Sequence, residues 1–571
     1  MDTSEVAAAA EQWIEGDPDE ATRTELQELI AQEAWDELTE RMAGTLAFGT
    51  AGLRGEVAAG SNRMNRAVVI RTTRGLADYL IGFDPDSDRP VVIGRDARPS
   101  SQEFMLDAIG VLAAAGIRVR YFPEPTPTPL VAFTAKALGA RAAIVITASH
   151  NPPRDNGYKV YAGNGAQIVP PVDRDIAAAI DGVGRAVDVP RIREPLGHDG
   201  LVSMVPNDMF DRYLEAVAET RTPPPAADLA IVHTPIHGVG GQFVVAALEH
   251  FGYRDVRVVT EQIEPDGRFP TVDFPNPEEP GALDLATALA RTGGADVILA
   301  NDPDTDRLAV SLPSPSGDWR SLTGNQIGVL LADHVLTHTD EAAPLVINSI
   351  VSSPMLADVA AHHGAAFAAT LTGFKWIWNA ALDLDAEGGR RFVFGYEEAL
   401  GYSVGPVVRD KDGIGAAVAF ADLMAFARAN GETVWDRLAA LYLRHGLWVS
   451  VQLSVVRPGT EGAAEIAAAM ERLGADPPSQ LAEFDVAEVT DYRRGAESRP
   501  RYLPAASLVG LDLGPAGRVL VRPSGTEPKL KIYVDLRSEV EDPSAIWAQE
   551  PQLIAQADDL AAAMADHLGL A

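Results

Sequence analysis

One order of parts occurs three times along this chain: an apolar strand and turn opening a helix, a second strand, and a third strand running into a polar loop. In the first stretch a strand at 91–94 leads into Arg95-Asp96-Ala97-Arg98-Pro99-Ser100-Ser101, then a strand at 119–122, then one at 144–146. The second runs 230–232, Thr234-Pro235-Ile236-His237-Gly238-Val239-Gly240-Gly241, 256–259 and 297–300, and the third runs 345–347, the turn 349–354, 367–371 and 392–394. Strands alternating with helices at this spacing fold as parallel sheets covered by helices, with ligand sites beyond the carboxyl ends of the strands. From about Ser450 the pattern changes to strand-like runs at 451–456, 507–511 and 519–521 before an Ala-rich final helix. The expected fold class is α/β: three similar doubly wound α/β domains with mainly parallel sheets plus a smaller C-terminal α+β domain, around one central cleft. The boundaries read as a helical N-terminal extension at 1–47, then domains at 48–210, 211–325, 326–450 and 451–571.

The bulk numbers exclude several functions. A chain of 571 residues far exceeds the roughly 250–300 at which single cores stop growing. Without cysteine it has neither disulfides nor thiolate metal sites, which fits a reducing compartment. The acidic start Met1-Asp2-Thr3-Ser4-Glu5 lacks a signal pattern, and no run approaches the roughly 18 apolar residues of a spanning helix. The simplest location is the cytoplasm. Forty-seven basic against 81 acidic residues leave a formal charge of −34, which repels nucleic acid and anionic membranes. That charge also opposes a phosphorylated substrate, so a phosphate site needs a local excess of cations.

The loops that end the third strands carry the chemistry. In Thr147-Ala148-Ser149-His150-Asn151-Pro152-Pro153 a buried strand delivers Ser149 to a sharp turn. A serine needs a base or cation to react, and His150 is adjacent, with Lys159 in reach if the chain doubles back. The alternative is that Ser149 caps a following helix. In Asp302-Pro303-Asp304-Thr305-Asp306-Arg307 carboxylates at alternate positions can converge on a hard cation such as Mg²⁺, with Arg307 placed to meet a phosphate. An EF-hand is ruled out, since its sixth position is Arg307 and its twelfth Pro313; a solvated acidic turn is the bland reading. Arg522-Pro523-Ser524-Gly525-Thr526 offers a guanidinium, two hydroxyls and a bare backbone to a phosphate monoester, or is an ordinary turn. Thr372-Gly373-Phe374-Lys375 and Gly395-Tyr396-Glu397-Glu398-Ala399-Leu400-Gly401 end strands of the third repeat, where paired carboxylates can hold sugar hydroxyls; either glutamate can instead be a buried partner of an Arg or Lys. His362-His363 reads as surface and His237 as a residue that fixes its turn. Arg54, Lys159, Arg307, Lys375, Lys411, Arg522 and Lys529 all fall in loops expected to face one cleft, which meets the charge demand.

With these motifs in this order, residues 45–545 resemble the α-D-phosphohexomutases, the phosphoglucomutase and phosphomannomutase superfamily. Thr147 to Pro152 is similar to that family's phosphoserine loop, Asp302 to Arg307 to its Mg²⁺ loop, Gly395 to Gly401 to its sugar-binding loop and Arg522 to Thr526 to its phosphate-binding loop. The resemblance implies that Ser149 carries a phosphoryl group and that Mg²⁺ bridges it to Asp302, Asp304 and Asp306. It makes Arg54 and Lys159 the basic neighbours of the phosphoserine, Lys411 the proton-transfer lysine and Glu397 the hydroxyl-binding glutamate. The implied reaction interconverts hexose 1-phosphate and hexose 6-phosphate, for glucose and also mannose, through a sugar 1,6-bisphosphate that serves as intermediate and activator. Partners are then small sugar phosphates, and the chain is a monomer or homodimer. Ala399 stands where many hexomutases carry serine. Phe48-Gly49-Thr50-Ala51-Gly52-Leu53-Arg54-Gly55 and Asn62-Arg63-Met64-Asn65 look like the branch of phosphopentomutases and sugar 1,6-bisphosphate synthases, so phosphopentomutase or glucose 1,6-bisphosphate synthase is the alternative. A serine phosphohydrolase and a non-catalytic sugar-phosphate sensor are remoter ones.

Overall fold

The computed structural model describes residues 3–46, 48–49, 52–198, 200–524 and 529–570. The chain forms two compact units, one of residues 1–221, 227–321 and 401–421, the other of 222–226, 322–400 and 422–571.

The first unit opens with three helices, Thr3–Gly16, Glu20–Ala31 and Trp35–Met42. They are amphipathic, and Val6, Ala10, Leu26, Leu38 and Met42 bury a common stripe with Ala59, so the expected extension packs as part of the unit. A six-stranded sheet follows, in the order Leu53–Glu56, Asp155–Ala162, Ala142–Ile146, Val91–Arg95, Val119–Tyr121, Val202–Met204. Its apolar runs Val91–Arg95 and Ala142–Ile146 are buried on both faces, as a central parallel pair requires. Helices Arg66–Phe83 and Ser101–Ala114 pack Leu76, Phe104, Ile109 and Leu112 against Val91, Ile93, Ile144 and Ile146. The second sheet runs Trp319–Ser321, Ala309–Pro313, Val297–Ala300, Ala230–Thr234, Asp255–Val258.

Both sheets contain antiparallel strands that the repeat pattern did not announce. Asp155–Ala162 folds back beside Ala142–Ile146 directly after the Ser149 loop, and Ala309–Pro313 folds back beside Val297–Ala300 directly after the acidic loop. Each polar loop is therefore the bend of a hairpin-like return rather than the start of a helix. This overturns the reading of Ser149 as a helix cap.

The second unit contains the parallel strands Ala366–Thr370, Pro344–Ser349 and Arg391–Glu397, in that order. Helix Gly324–His338 starts on a capping box in which Thr323 and Gln326 satisfy each other's backbone N–H. An all-antiparallel sheet then runs Leu447–Val456, Lys529–Ser538, Gly517–Pro523, Val509–Asp512, Glu488–Asp491. Among the described residues no helix is long and apolar enough to cross a membrane.

Candidate active site

Ser149 leaves the buried strand Ala142–Ile146 and adopts a left-handed backbone, φ 53°, sparsely populated for a residue with a Cβ. The surroundings hold it there. Its N–H donates to Thr147 Oγ1 at 2.9 Å, and the N–H of Asn151 closes the turn on the Ala148 carbonyl at 3.1 Å. The larger share falls to Arg98, which is 2 % exposed. Its guanidinium donates to the carbonyls of Ser149 (2.8 Å), Asn151 (2.6 Å), Pro152 (2.6 Å) and Asp155 (2.8 Å), and through Nε to Asp96 at 3.1 Å. All five N–H donors of an arginine are thereby used. In the sequence Arg98 falls within a turn, and the Asp-x-Arg step at the end of a buried strand is the available signal of its role.

The acidic triplet is fully buried: Asp302, Asp304 and Asp306 are each 0 % exposed, which excludes the solvated turn. Thr305, at φ 63°, bends the loop so that one oxygen from each carboxylate lies within 4.8 Å of the others. Ser149 Oγ donates to Asp302 Oδ2 at 2.9 Å, joining two loops 153 positions apart. Asp304 Oδ2 accepts from Thr128 Oγ1 at 2.6 Å and from Lys159 Nζ at 2.5 Å, while Asp306 Oδ2 faces Lys159 at 2.8 Å and Lys411 at 3.2 Å. Asp304 Oδ1 and Asp306 Oδ1 are buried with no hydrogen-bond partner among the described residues. Burial, then the charges of Asp304 and Asp306, push the Asp302 carboxyl well above its ordinary range. Three converging carboxylates, two unspent buried oxygens and an Asp302 carboxyl pressed by its like-charged neighbours fit a hard metal ion, and these residues could hold one.

The cations around the triplet come from four places in the chain. Burial opposes the charge of Lys159, but Asp304 and Asp306 outweigh it and hold its pKa above the ordinary value. Lys159 and Arg54 lie on paired strands, Asp155–Ala162 and Leu53–Glu56, and not in loops as expected. Burial lowers the pKa of Arg54, whose Nε finds no partner among the described residues. Arg307 Nε stands 3.9 Å from both Asp302 and Asp306. His150 Nδ1 is 3.2 Å from Ser149 Oγ; burial, then Arg307 and Arg54, hold the imidazole well below its ordinary pKa, so the ring is neutral near pH 7. Lys411 is steered by Asp410, whose Oδ2 accepts from Tyr161 and Gln167, both at 2.6 Å, and whose Oδ1 lies 3.7 Å from Lys411 Nζ. Thr128, Tyr161, Gln167 and Asp410 were all missed by the sequence reading.

The second unit gathers the other candidates. Gly373, at φ 118°, turns its N–H onto Glu397 Oε1 at 2.6 Å, and Glu397 is 8 % exposed. Among the described residues Glu398 pairs with no Arg or Lys: its Oε2 accepts from Ser349 at 3.0 Å and Ser352 at 2.9 Å. Lys375 lies in the first turn of helix Phe374–Gly388, and Thr372 Oγ1 is buried with no partner among the described residues. Arg522 hydrogen-bonds the Tyr533 hydroxyl, and the Ser524 N–H donates to the Lys529 carbonyl at 2.7 Å. Gly525 and Thr526 lie outside the described residues, as do Thr50 and Ala51. In the first unit His237, at φ 59°, bonds Thr271 at 2.9 Å and does fix its turn. His363 is less a surface residue than expected, since its Nε2 lies 3.0 Å from Asp333 Oδ1.

Sequence models described as phosphoglucomutase/phosphomannomutase match in four successive parts: α/β/α domain I at 45–185, domain II at 211–314, domain III at 323–444 and the C-terminal domain at 511–544. The chain is 39% identical over 482 residues to a probable phosphomannomutase of Haemophilus influenzae, spanning 83% of this chain and 93% of that one. It is 36% identical over 555 residues to the phosphopentomutase of Homo sapiens, spanning 92% and 90%. Human glucose 1,6-bisphosphate synthase is 33% identical over 567 residues, spanning 92% and 89%. In fold it is similar to a putative phosphomannomutase crystal structure from Thermus thermophilus, with a TM-score of 0.66 at 23% identity over 90% of this chain and 99% of that one. The protein thus belongs to the phosphoglucomutase/phosphomannomutase family within the α-D-phosphohexomutases, isomerases that move a phosphoryl group within their substrate.

Proposed function

We propose that this phosphomutase interconverts hexose 1-phosphate and hexose 6-phosphate, with glucose phosphates as chief substrates and mannose phosphates accepted, through a phosphoryl group carried on Ser149. The observation that carries the reading is the bond of Ser149 Oγ to Asp302 Oδ2, which sets a strained, buried hydroxyl against a metal-competent carboxylate cluster. In the first half-reaction a free sugar hydroxyl attacks the phosphorus, the bond from phosphorus to Ser149 Oγ breaks, and a sugar 1,6-bisphosphate forms. In the second half-reaction Ser149 Oγ takes the other phosphoryl group, releasing the isomer. Lys411, held by Asp410 and Asp306, serves the hydroxyl proton, and neutral His150 stands beside Ser149 Oγ to accept one. Arg54, Lys159 and Arg307 place fixed positive charge around the transferred group. Mg²⁺ bound by Asp302, Asp304, Asp306 and the Ser149 oxygen would neutralise charge developing on that group. Glu397 and the Thr372–Lys375 turn recognise sugar hydroxyls, and Arg522, Ser524, Gly525 and Thr526 take the phosphate that is not being transferred.

Phosphopentomutase activity, on ribose or deoxyribose phosphates, is a second reading, favoured by the near full-length pentomutase relatives and by Ala399, which removes a hydroxyl from the sugar loop. Peptide mapping for phosphoserine, combined with turnover of glucose 1-phosphate, mannose 1-phosphate and ribose 1-phosphate primed by glucose 1,6-bisphosphate, separates the two. Phosphate on Ser149 with fastest hexose turnover supports the first, and fastest ribose turnover the second. An unphosphorylated Ser149 with no turnover after priming refutes both, and release of free phosphate would make the protein a phosphohydrolase.

A further inference from the structure

The turn at 349–354, which follows the first strand of the third repeat, takes no part in the chemistry assigned above. In the first two repeats the corresponding turn holds down the loop that carries the chemistry. Arg98, in the turn after Val91–Arg95, binds the Ser149 and Asn151 carbonyls of the loop that follows the neighbouring strand Ala142–Ile146. Val239, in the turn after Ala230–Thr234, donates its N–H to the Pro303 carbonyl at 2.9 Å, in the loop that follows the neighbouring strand Val297–Ala300. The cause is topological, since neighbouring parallel strands release their carboxyl-end loops side by side.

The third repeat keeps this arrangement and uses serines for it. Strand Pro344–Ser349 pairs in parallel with Arg391–Glu397, which sets the turn beside Glu397 and Glu398. Ser349 and Ser352 are both buried. Ser352 Oγ accepts from the Glu398 N–H at 3.0 Å and donates to Glu398 Oε2 at 2.9 Å, so one hydroxyl fixes both the backbone and the side chain of that residue. Ser352 is held in turn from the antiparallel sheet. Arg518 Nη2 donates to the Ser352 carbonyl at 2.6 Å and Arg518 Nε to Asp535 Oδ2 at 2.8 Å, while Asp535 Oδ1 accepts from Ser450 at 2.6 Å. Arg518 lies on Gly517–Pro523, the strand that also carries Arg522. Asp535 is buried, and apolar residues of similar volume often pack as stably as a buried ion pair. Stability alone therefore does not account for this chain of bonds, whose directionality fixes a position.

We propose that Ser352, braced by Arg518, is a positioning residue that sets the Glu397–Glu398 loop and thereby decides which sugar phosphate the enzyme prefers. This rests on the reading that the Glu397 loop recognises sugar hydroxyls. Ser352 acts through Glu398 and its neighbour Glu397, whose Oε1 is fixed separately by the Gly373 N–H.

Steady-state kinetics of the full-length protein on glucose 1-phosphate, mannose 1-phosphate and ribose 1-phosphate, primed by glucose 1,6-bisphosphate, tests this with the variants Ser352→Ala, Arg518→Lys and Glu397→Gln. Ser352→Ala is expected to raise KM for the preferred sugar phosphate about tenfold, the worth of a hydrogen bond to a charged group. It should narrow the kcat/KM preference over the next sugar by a similar factor, while peptide mapping finds Ser149 phosphorylated as in the parent. Arg518→Lys keeps a cation beside Asp535 but lacks the fork that also reaches the Ser352 carbonyl. It should move both quantities the same way, and it decides the matter should Ser352→Ala not fold. If Glu397→Gln changes KM and the preference but the other two variants change neither, or slow every sugar equally, the proposal is overturned and the reading of the sugar loop stands. If Glu397→Gln itself leaves both unchanged, that reading falls and the proposal with it.

Discussion

Ser149 keeps its left-handed backbone because the loop around it is tied down from beneath by one buried guanidinium. Arg98 reaches four carbonyls, and no other side chain has the donors to do so. Arg98→Lys retains the charge but has three donors on a flexible stem, so the loop should shift and turnover should drop about 10²-fold, as for other misplacements of a reacting group by about 1 Å. The check is kcat measured beside the thermal midpoint: a loss of kcat with unchanged phosphorylation and unchanged KM would be the signature of positioning. Ser149→Ala should lose about 10⁴-fold or more in turnover even when primed with glucose 1,6-bisphosphate, because no atom remains to carry the phosphoryl group. Retention of substantial turnover by that variant would end the phosphoserine mechanism.

Among the elements, the helix Gly324–His338 begins against the loop that carries Glu397 and Glu398. A Cβ at Gly324 would collide with the Glu398 carbonyl oxygen. Gly324→Ala must therefore displace either the helix start or the Glu397–Glu398 loop proposed to recognise the sugar, at about 1–3 kcal/mol for an overpacked site. KM for the sugar phosphate should rise while Ser149 still becomes phosphorylated, which steady-state kinetics and peptide mapping would report together. The strand Ala230–Thr234 buries His233, whose Nδ1 lies 3.0 Å from the Leu299 carbonyl and whose Nε2 has no partner among the described residues. Burial lowers its pKa to about 4. The unfolded chain takes up this proton near pH 6.5 and the folded one only near 4, so stability is lost as pH falls through that window, by about 2 kcal/mol at pH 5. Asp412 works in the opposite direction. Burial pushes its carboxyl up to about 6, so the folded state holds that proton more tightly and gains stability as pH falls from about 6 toward 4. His233→Phe removes the first effect and leaves the second, and its midpoint should fall less than the parent's between pH 7.5 and 5. An equal fall in both would show that His233 is not a source of acid sensitivity.

For the molecule as a whole, the tension between a formal charge of −34 and an anionic substrate is resolved locally. Arg54, Lys159, Arg307 and Lys411 cluster around the acidic triplet in the first unit. Chelation by EDTA should abolish turnover and Mg²⁺ should restore it. Mg²⁺ should also raise the thermal midpoint of the chelated protein, since at about 100 times its dissociation constant a ligand of the native state adds about 2.7 kcal/mol; an unmoved midpoint and full activity in EDTA would refute the metal assignment. The sequence by itself determined what short-range patterns can encode: the alternation of strands and helices, the Ser149 loop, the three alternating aspartates and the glutamate pair, because apolar periodicity and turn chemistry are written in neighbouring residues. Tertiary structure alone decided which distant side chains complete the site. Thr128 meets Asp304 across 176 positions and Tyr161 meets Asp410 across 249, contacts set by strand register and chain return rather than by spacing. Arg98 stayed hidden for a related reason, since its partners are backbone carbonyls, which every residue possesses and no residue type announces.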